Sequence, residues 1–154
     1  MTRKYTEPSG AYGVAIPRDW EFSLGKSALA IFRSVDGVGA INVSSFVKTP
    51  LAPAQASSIM REILAGHRID AEPQPIALSN AANAAFVQYE KGDFWWRAWI
   101  IVIGNRVVYA TYNCRQSHKG EEDASVDEIV ASIRDPENDP DSGKGDPEKG
   151  CESV

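Results

Sequence analysis

The sequence predicts an α+β domain, a mainly antiparallel β-sheet with two principal helices packed on it in an α/β/α sandwich-like arrangement. Three observations lead there. Apolar residues alternate with polar ones in short segments joined by Asp36–Gly37 and Gly104–Asn105, and such dipeptides between alternating runs mark hairpins. Two other stretches, Pro53–His67 and Glu121–Arg134, repeat their apolar residues every three or four positions, which is helical spacing. The order is strands, helix, strands, helix without strict βαβ alternation, so an antiparallel sheet is expected.

Composition bounds the problem. The chain has 154 residues, enough for one domain with a real core. Its longest apolar run, Ala98–Ile103, suits a buried strand and is far short of the ~20 residues that span a bilayer. The net charge of −5 is unevenly placed: residues 135–154 hold seven acids and two bases, which leaves residues 1–134 formally neutral. A neutral body is a poor match for a phosphate backbone, so no nucleic-acid partner is expected. The charged start lacks an apolar stretch behind it, so cytoplasmic residence and reduced thiols at Cys114 and Cys151 are the expectation.

Residues 1–10 read as a loose N-terminus. A first strand at Tyr12–Ile16 is stopped by Pro17, and Trp20, Phe22 and Leu24 then alternate as in a half-buried strand. The runs Ala28–Val35 and Val38–Val47 flank Asp36–Gly37. A two-residue turn there pairs Ser34 with Gly39, Phe32 with Ile41 and Ala30 with Val43. In the first helix Ala56, Ile59, Met60, Ile63 and Leu64 form the apolar stripe, and Gly66 closes it. Arg68–Ala82 reads as a loop with a short strand at Ile76–Leu78, followed by a strand at Ala84–Lys91 and a turn at Gly92–Asp93. Val126, Ile129, Val130 and Ile133 line the second helix; Ser125 and Glu128 fit a capping box, which would start it at Ser125. The acidic tail after Arg134 has too few apolar side chains to offset the entropy of ordering and is expected to be mobile alone.

The segment Asp93–Arg115 holds three of the four tryptophans. A Gly104–Asn105 turn puts Ile103/Arg106, Ile101/Val108, Trp99/Ala110, Arg97/Tyr112 and Trp95/Cys114 on one face. The other carries Val102/Val107, Ile100/Tyr109, Ala98/Thr111, Trp96/Asn113 and Phe94/Arg115. Near the turn both faces are apolar, which is expected of central strands covered on both sides. At the far end Trp95, Arg97 and Tyr112 form an aromatic–cation–aromatic group and are the candidate binding residues. The plainer reading is that the rings finish the core while Arg97 reaches outward.

Catalytic signatures are missing. His67 falls at the end of the first helix, and His118 follows Cys114 at C-x3-H spacing. A Cys–His pair needs a low-pKa thiolate, and Cys114 beside Trp95 favours the neutral thiol. Two separated histidines and one strand cysteine do not make a closed metal site. Glu90 and Asp93 flank a turn, where solvated acids are the rule. The sequence has no phosphate-binding or dinucleotide fingerprint, so no cofactor, metal or catalytic residue is expected.

Two short motifs carry a resemblance. Ile16-Pro17-Arg18-Asp19-Trp20 resembles the early strand–Pro–x–x–Trp segment of the PsbP-like α/β/α sandwich superfamily. Glu128-Ile129-Val130-Ala131-Ser132-Ile133-Arg134 is similar to its closing helix with Ser-Ile-Arg. The resemblance covers about residues 10–134. The superfamily includes photosystem subunits, a Ran-binding import factor and bacterial proteins linked to type VI secretion, and it implies protein partners rather than a shared reaction. The expectation is therefore a non-enzymatic protein-interaction domain of adaptor, chaperone or immunity type, in a bacterial cytoplasm. The alternative is a small-molecule-binding domain or enzyme with a pocket between sheet and helix near Trp95, Arg97, Tyr112 and Cys114. Self-association is a third reading.

Overall fold

In the computed structural model, residues 2–47, 55–78 and 81–136 are described. Nine strands and two helices follow in order: β1 (Thr2–Thr6), β2 (Gly13–Pro17), β3 (Trp20–Leu24), β4 (Leu29–Arg33), β5 (Gly39–Val47), α1 (Ala56–Gly66), β6 (Gln74–Leu78), β7 (Ala81–Lys91), β8 (Phe94–Ile103), β9 (Arg106–Arg115) and α2 (Asp123–Ala131). Seven strands form one antiparallel sheet in the order β3-β4-β5-β9-β8-β7-β6, and β1 and β2 form a separate hairpin. The α+β expectation holds.

The tryptophan hairpin is central to the sheet, and its ten cross-strand pairs run from Phe94↔Arg115 to Ile103↔Arg106 as its turn requires. Gly104 takes a positive φ of 59° at the first turn position, as a II′ hairpin turn demands. The face bearing Trp99, Ile101, Val108, Ala110 and Tyr112 packs with β2, Trp20 and the α2 residues Val126, Ile129 and Val130. The opposite face, with Ala98, Ile100 and Val107, receives Ala56, Ile59, Met60 and Leu64 of α1. Coverage on both sides explains why this hairpin is apolar on both faces.

Three expectations are corrected. The N-terminus is not loose: Thr2–Thr6 pairs with Gly13–Pro17, from Thr2↔Pro17 to Thr6↔Gly13. The tie is aromatic, with Tyr5 5.4 Å from Phe22 and 6.4 Å from Tyr12 between ring centroids, and Arg3 bonds to the Trp20 carbonyl. The first hairpin is offset by one residue, pairing Leu29↔Val43, Ala30↔Asn42, Ile31↔Ile41 and Phe32↔Ala40. That register puts Leu29 and Ile31 in the core with Ile41 and Val43. A one-residue slip would exchange them for Ala30 and Phe32. Burial of the larger aliphatic pair overrides the two-residue turn, and Asp36 alone becomes left-handed, with φ 59°. Finally, α2 starts at Asp123, so Ser125 and Glu128 lie inside it and form no capping box; Glu122 precedes it and sends its side chain into the core.

The remaining elements lie close to expectation. The Ile76–Leu78 strand extends to Gln74–Leu78 at the sheet edge. His67 caps α1 through its backbone N–H, bonded to the Ile63 and Leu64 carbonyls. The end of α2 is fixed to β2 by Ser132, whose Oγ accepts from the Ala15 N–H at 2.8 Å, and by paired backbone bonds between Gly13 and Arg134. The Ser-Ile-Arg segment thus fastens the helix layer. Pro50, Pro53 and the tail from Glu137 lie outside the described residues.

Gly39 is required at the start of β5. A Cβ there would collide with the Asn113 carbonyl oxygen and sit 2.7 Å from both Cζ and Oη of Tyr112. Gly39→Ala should therefore lower unfolding stability by about 2–3 kcal/mol, since an overfilled core must shift. Urea unfolding checks this: a lower midpoint at unchanged slope is expected, and a midpoint equal to wild type contradicts it.

Candidate functional site

Side chains alternate along β8 and β9, so the tryptophan hairpin presents two different chemistries. On the α2 side lie Trp95, Arg97, Tyr112 and Cys114, all buried, with Arg97 and Trp95 each 7% exposed. The guanidinium of Arg97 lies 5.2 Å from the Phe86 ring centroid and 5.0 Å from that of Trp99. Its Nη2 donates to Asp127 at 2.7 Å and its Nη1 to Asp123 at 3.5 Å, both carboxylates belonging to α2. Arg97 therefore points into the helix interface and does not reach outward. The Lys119 ammonium sits 4.1 Å above Trp95, on the loop that leads into α2.

Tyr112 donates its hydroxyl to Glu122 Oε1 at 2.7 Å, and Glu122 Oε2 accepts from the Val38 N–H at 3.3 Å. Burial and the neighbouring Glu122 push the Tyr112 hydroxyl well above the usual phenol range. Burial, reinforced by Glu122, Asp123 and Glu121, also pushes the Cys114 thiol up despite a lowering contact from Tyr112. Cys114 is thus neutral at pH 7, as its place beside Trp95 implies. His118 Nδ1 lies 2.8 Å from Glu121, so the ring is engaged by a carboxylate. Glu90 and Asp93 are both exposed at their turn. Among the described residues no group of three or more His, Cys, Asp or Glu could hold a metal ion.

The three sequence-predicted residues are thus brought close to the helix interface as a structural unit. The space expected between sheet and helix near them is occupied by α2. A groove of about 420 Å³ lies at the edge of this region, bounded by Gly37–Ala40, Phe94, Asn113, Cys114, Arg115 and His118.

The other side of the hairpin is different. Among the described residues α1 is the only helix on that face, and it lies over β6, β7 and β8. An eleven-residue helix is ~16 Å long and ~10 Å across, whereas seven strands span ~29 Å, so among the described residues about half of the face is left without a covering helix. The open half begins where Trp96 stacks on Tyr89, with centroids 6.2 Å apart and planes 7° from parallel. Next to it Arg115 lies 5.4 Å over the Phe94 ring, and Phe94 is 38% exposed. Beyond β9 the face continues through Asn113 opposite Ala40 and Thr111 opposite Asn42, and reaches Phe46 and Phe32. Burial pushes the Tyr89 hydroxyl up to about 12, with Tyr109 adding to it.

Sequence reasoning passed over Phe94, Trp96, Arg115 and Tyr89. The signal was present, because strand alternation already grouped Phe94, Trp96, Asn113 and Arg115. What the sequence lacks is the reach of α1, which decides the face left bare.

No protein-family model matches the chain, and no curated protein matches it in sequence. Solved structures do. The solution structure of the cyanobacterial PsbP protein (CyanoP) from Synechocystis superposes with a TM-score of 0.57 at 10% identity, covering 86% of this chain and 91% of that one. The chain has a PsbP-like fold. A crystal structure from Bacteroides thetaiotaomicron superposes with a TM-score of 0.58 at 15% identity over 86% of this chain. This chain spans about half of that protein's length, 48%. At these identities the likeness concerns the fold alone.

The Arg97 clasp makes an asymmetric prediction. Arg97→Met keeps the apolar stem and removes the charge. Asp123→Asn with Asp127→Asn leaves a cation with a 9% exposed side chain and no carboxylate partner. The double aspartate variant should lose about 3 kcal/mol, more than Arg97→Met, because an uncompensated buried charge costs more than an absent pair. Chemical unfolding of both variants checks the order, and the reverse order contradicts it.

Proposed function

We propose that this chain is a non-enzymatic protein-interaction domain, of adaptor, chaperone or immunity type, which meets a protein partner with the open half of its sheet. The observation that carries this reading is the aromatic and cationic surface of Phe94, Trp96, Tyr89 and Arg115, which no helix among the described residues covers. Trp, Tyr and Arg dominate interface hot spots, and rigid sheet presentation lowers the entropy lost on binding. In this reading Trp95, Arg97 and Tyr112 brace the surface from behind instead of touching the partner.

The motifs at Ile16–Trp20 and Glu128–Arg134 support a bacterial setting linked to type VI secretion, and cytoplasmic residence belongs to the same proposal. The neutral body speaks for a protein partner over a nucleic acid. No helix among the described residues is long and apolar enough to cross a membrane. The alternative, a small-molecule-binding domain or enzyme, draws its support from the groove of about 420 Å³ beside Cys114 and His118.

Wild-type protein immobilised in native lysate should retain a stoichiometric partner. Trp96→Ala with Arg115→Glu should weaken that partner at least ~30-fold, as hot-spot truncations do, with the circular dichroism spectrum unchanged. Absence of any stoichiometric partner, or retention by the variant at wild-type affinity, contradicts the proposal.

A further inference from the structure

A second cavity lies at the far end of the sheet, on the α2 side, away from the Trp96 surface. It is a half-open groove of about 280 Å³ between the β1–β2 turn (Glu7, Pro8), the β3–β4 turn (Leu24–Ala28) and the sheet residues Leu29 and Val43. Leu29 and Val43 close its base and are themselves almost wholly covered, at 2% and 1% exposure. Leu24 lines it yet is 63% exposed, an apolar side chain left for something to cover. This volume lies just below the ~300–1,000 Å³ of typical ligand pockets, which leaves room for a small ligand only.

The polar lining includes donors that make no hydrogen bond or ion pair within the described residues. Tyr12 lines the cavity and is 2% exposed, and its hydroxyl has no hydrogen-bond partner among the described residues. The hydroxyl can therefore donate to a ligand that enters the cavity. Lys26 at the rim makes no ion pair among the described residues. Ser27, Ser44 and Ser45 add further polar lining. The carboxylate in the lining, Glu7, is already engaged through Oε1 by the Ser9 N–H at 2.8 Å, the Ala11 N–H at 3.2 Å and the Ser9 hydroxyl. Those contacts hold its carboxyl below the usual range. Among the described residues, a phenolic donor and a cation without an ion pair beside the exposed Leu24 suit an anionic acceptor group attached to a short apolar body.

We infer that this cavity binds a small alkyl or aryl carboxylate, its apolar part against Leu24 and its carboxylate toward Lys26 and the Tyr12 hydroxyl. This site is separate from the proposed partner surface, so either can fail without the other. The arrangement uses groups that the packing leaves unpaired and contributes no reacting atoms, so the inference is of binding alone.

Titration of the full ¹⁵N-labelled chain with hexanoate, 1-hexanol and hexylamine tests it. Hexanoate should move the amide signals of Tyr12 and Leu24–Leu29 saturably, with 1-hexanol at least ~10-fold weaker for want of the charge-assisted contacts. Lys26→Glu should abolish hexanoate binding. Tyr12→Phe, which keeps the ring, should weaken it ~3–10-fold, the loss of one hydrogen bond. Both variants should leave the remaining amide signals in place. Absence of saturable shifts with hexanoate overturns the inference. So does hexylamine binding as tightly as hexanoate, or Lys26→Glu binding like wild type.

Discussion

The contact between the Tyr112 hydroxyl and the Glu122 carboxylate connects the central sheet, the turn before β5 and the start of α2. Both partners are almost fully buried, Tyr112 at 1% and Glu122 at 4% exposure. A buried carboxylate must have donors, and Glu122 takes one from the phenol and one from the Val38 N–H. Gly39 leaves the space through which the tyrosine ring passes. The helix therefore begins where Glu122 is held and not at the Ser125 capping pattern. Arg97 then fastens the first two turns of α2 through Asp123 and Asp127. Asp123 and Asp127 are about half exposed, so their strength comes mainly from the guanidinium being sheltered between Phe86 and Trp99.

This fastening determines what the surface can present. One face of the sheet is closed by α2 and the β1–β2 hairpin, with Ser132 and the Gly13–Arg134 bridge locking its far edge. The other face has only α1 among the described residues, and α1 is too small for it. Among the described residues this leaves the half-buried Trp96 and Tyr89 and the exposed Phe94 and Arg115 at the sheet surface, on strands whose backs are packed. Antiparallel sheets tolerate such a face where polar residues intervene, and Asn42, Asn113 and Thr111 supply them here.

Much of this was legible in the sequence, for reasons tied to local chemistry. The hairpin at Gly104–Asn105 could be paired residue by residue because its turn admits one register and both faces agree with it. The helix stripes at Ile59–Leu64 and Val126–Val130 were legible because periodicity reports burial directly. The Asp36–Gly37 hairpin was misread by one residue because the turn dipeptide and the aliphatic pair Leu29 and Ile31 conflict, and packing prevailed. Thr2–Thr6 looked loose because its partners, Tyr12, Phe22 and Trp20, lie on other segments. Trp95, Arg97 and Tyr112 were recognised as a group by spacing. That the group would face α2 depends on Asp123, Asp127 and Glu122, some ten to thirty residues away in the chain. Neither the unpaired Tyr12 hydroxyl nor the cavity beside it had a sequence signature, since both arise where three separate turns and strands meet.

The central claim is that neighbouring residues of one strand face opposite environments, Trp95 closed under α2 and Phe94 and Trp96 at the open half of the sheet. Hydroxyl-radical footprinting read by mass spectrometry addresses it residue by residue on the folded chain. The account predicts rapid oxidation of Phe94 and Trp96, with Trp95 and Trp99 protected until the protein unfolds. Oxidation of Trp95 as fast as Trp96 in the native state would contradict it.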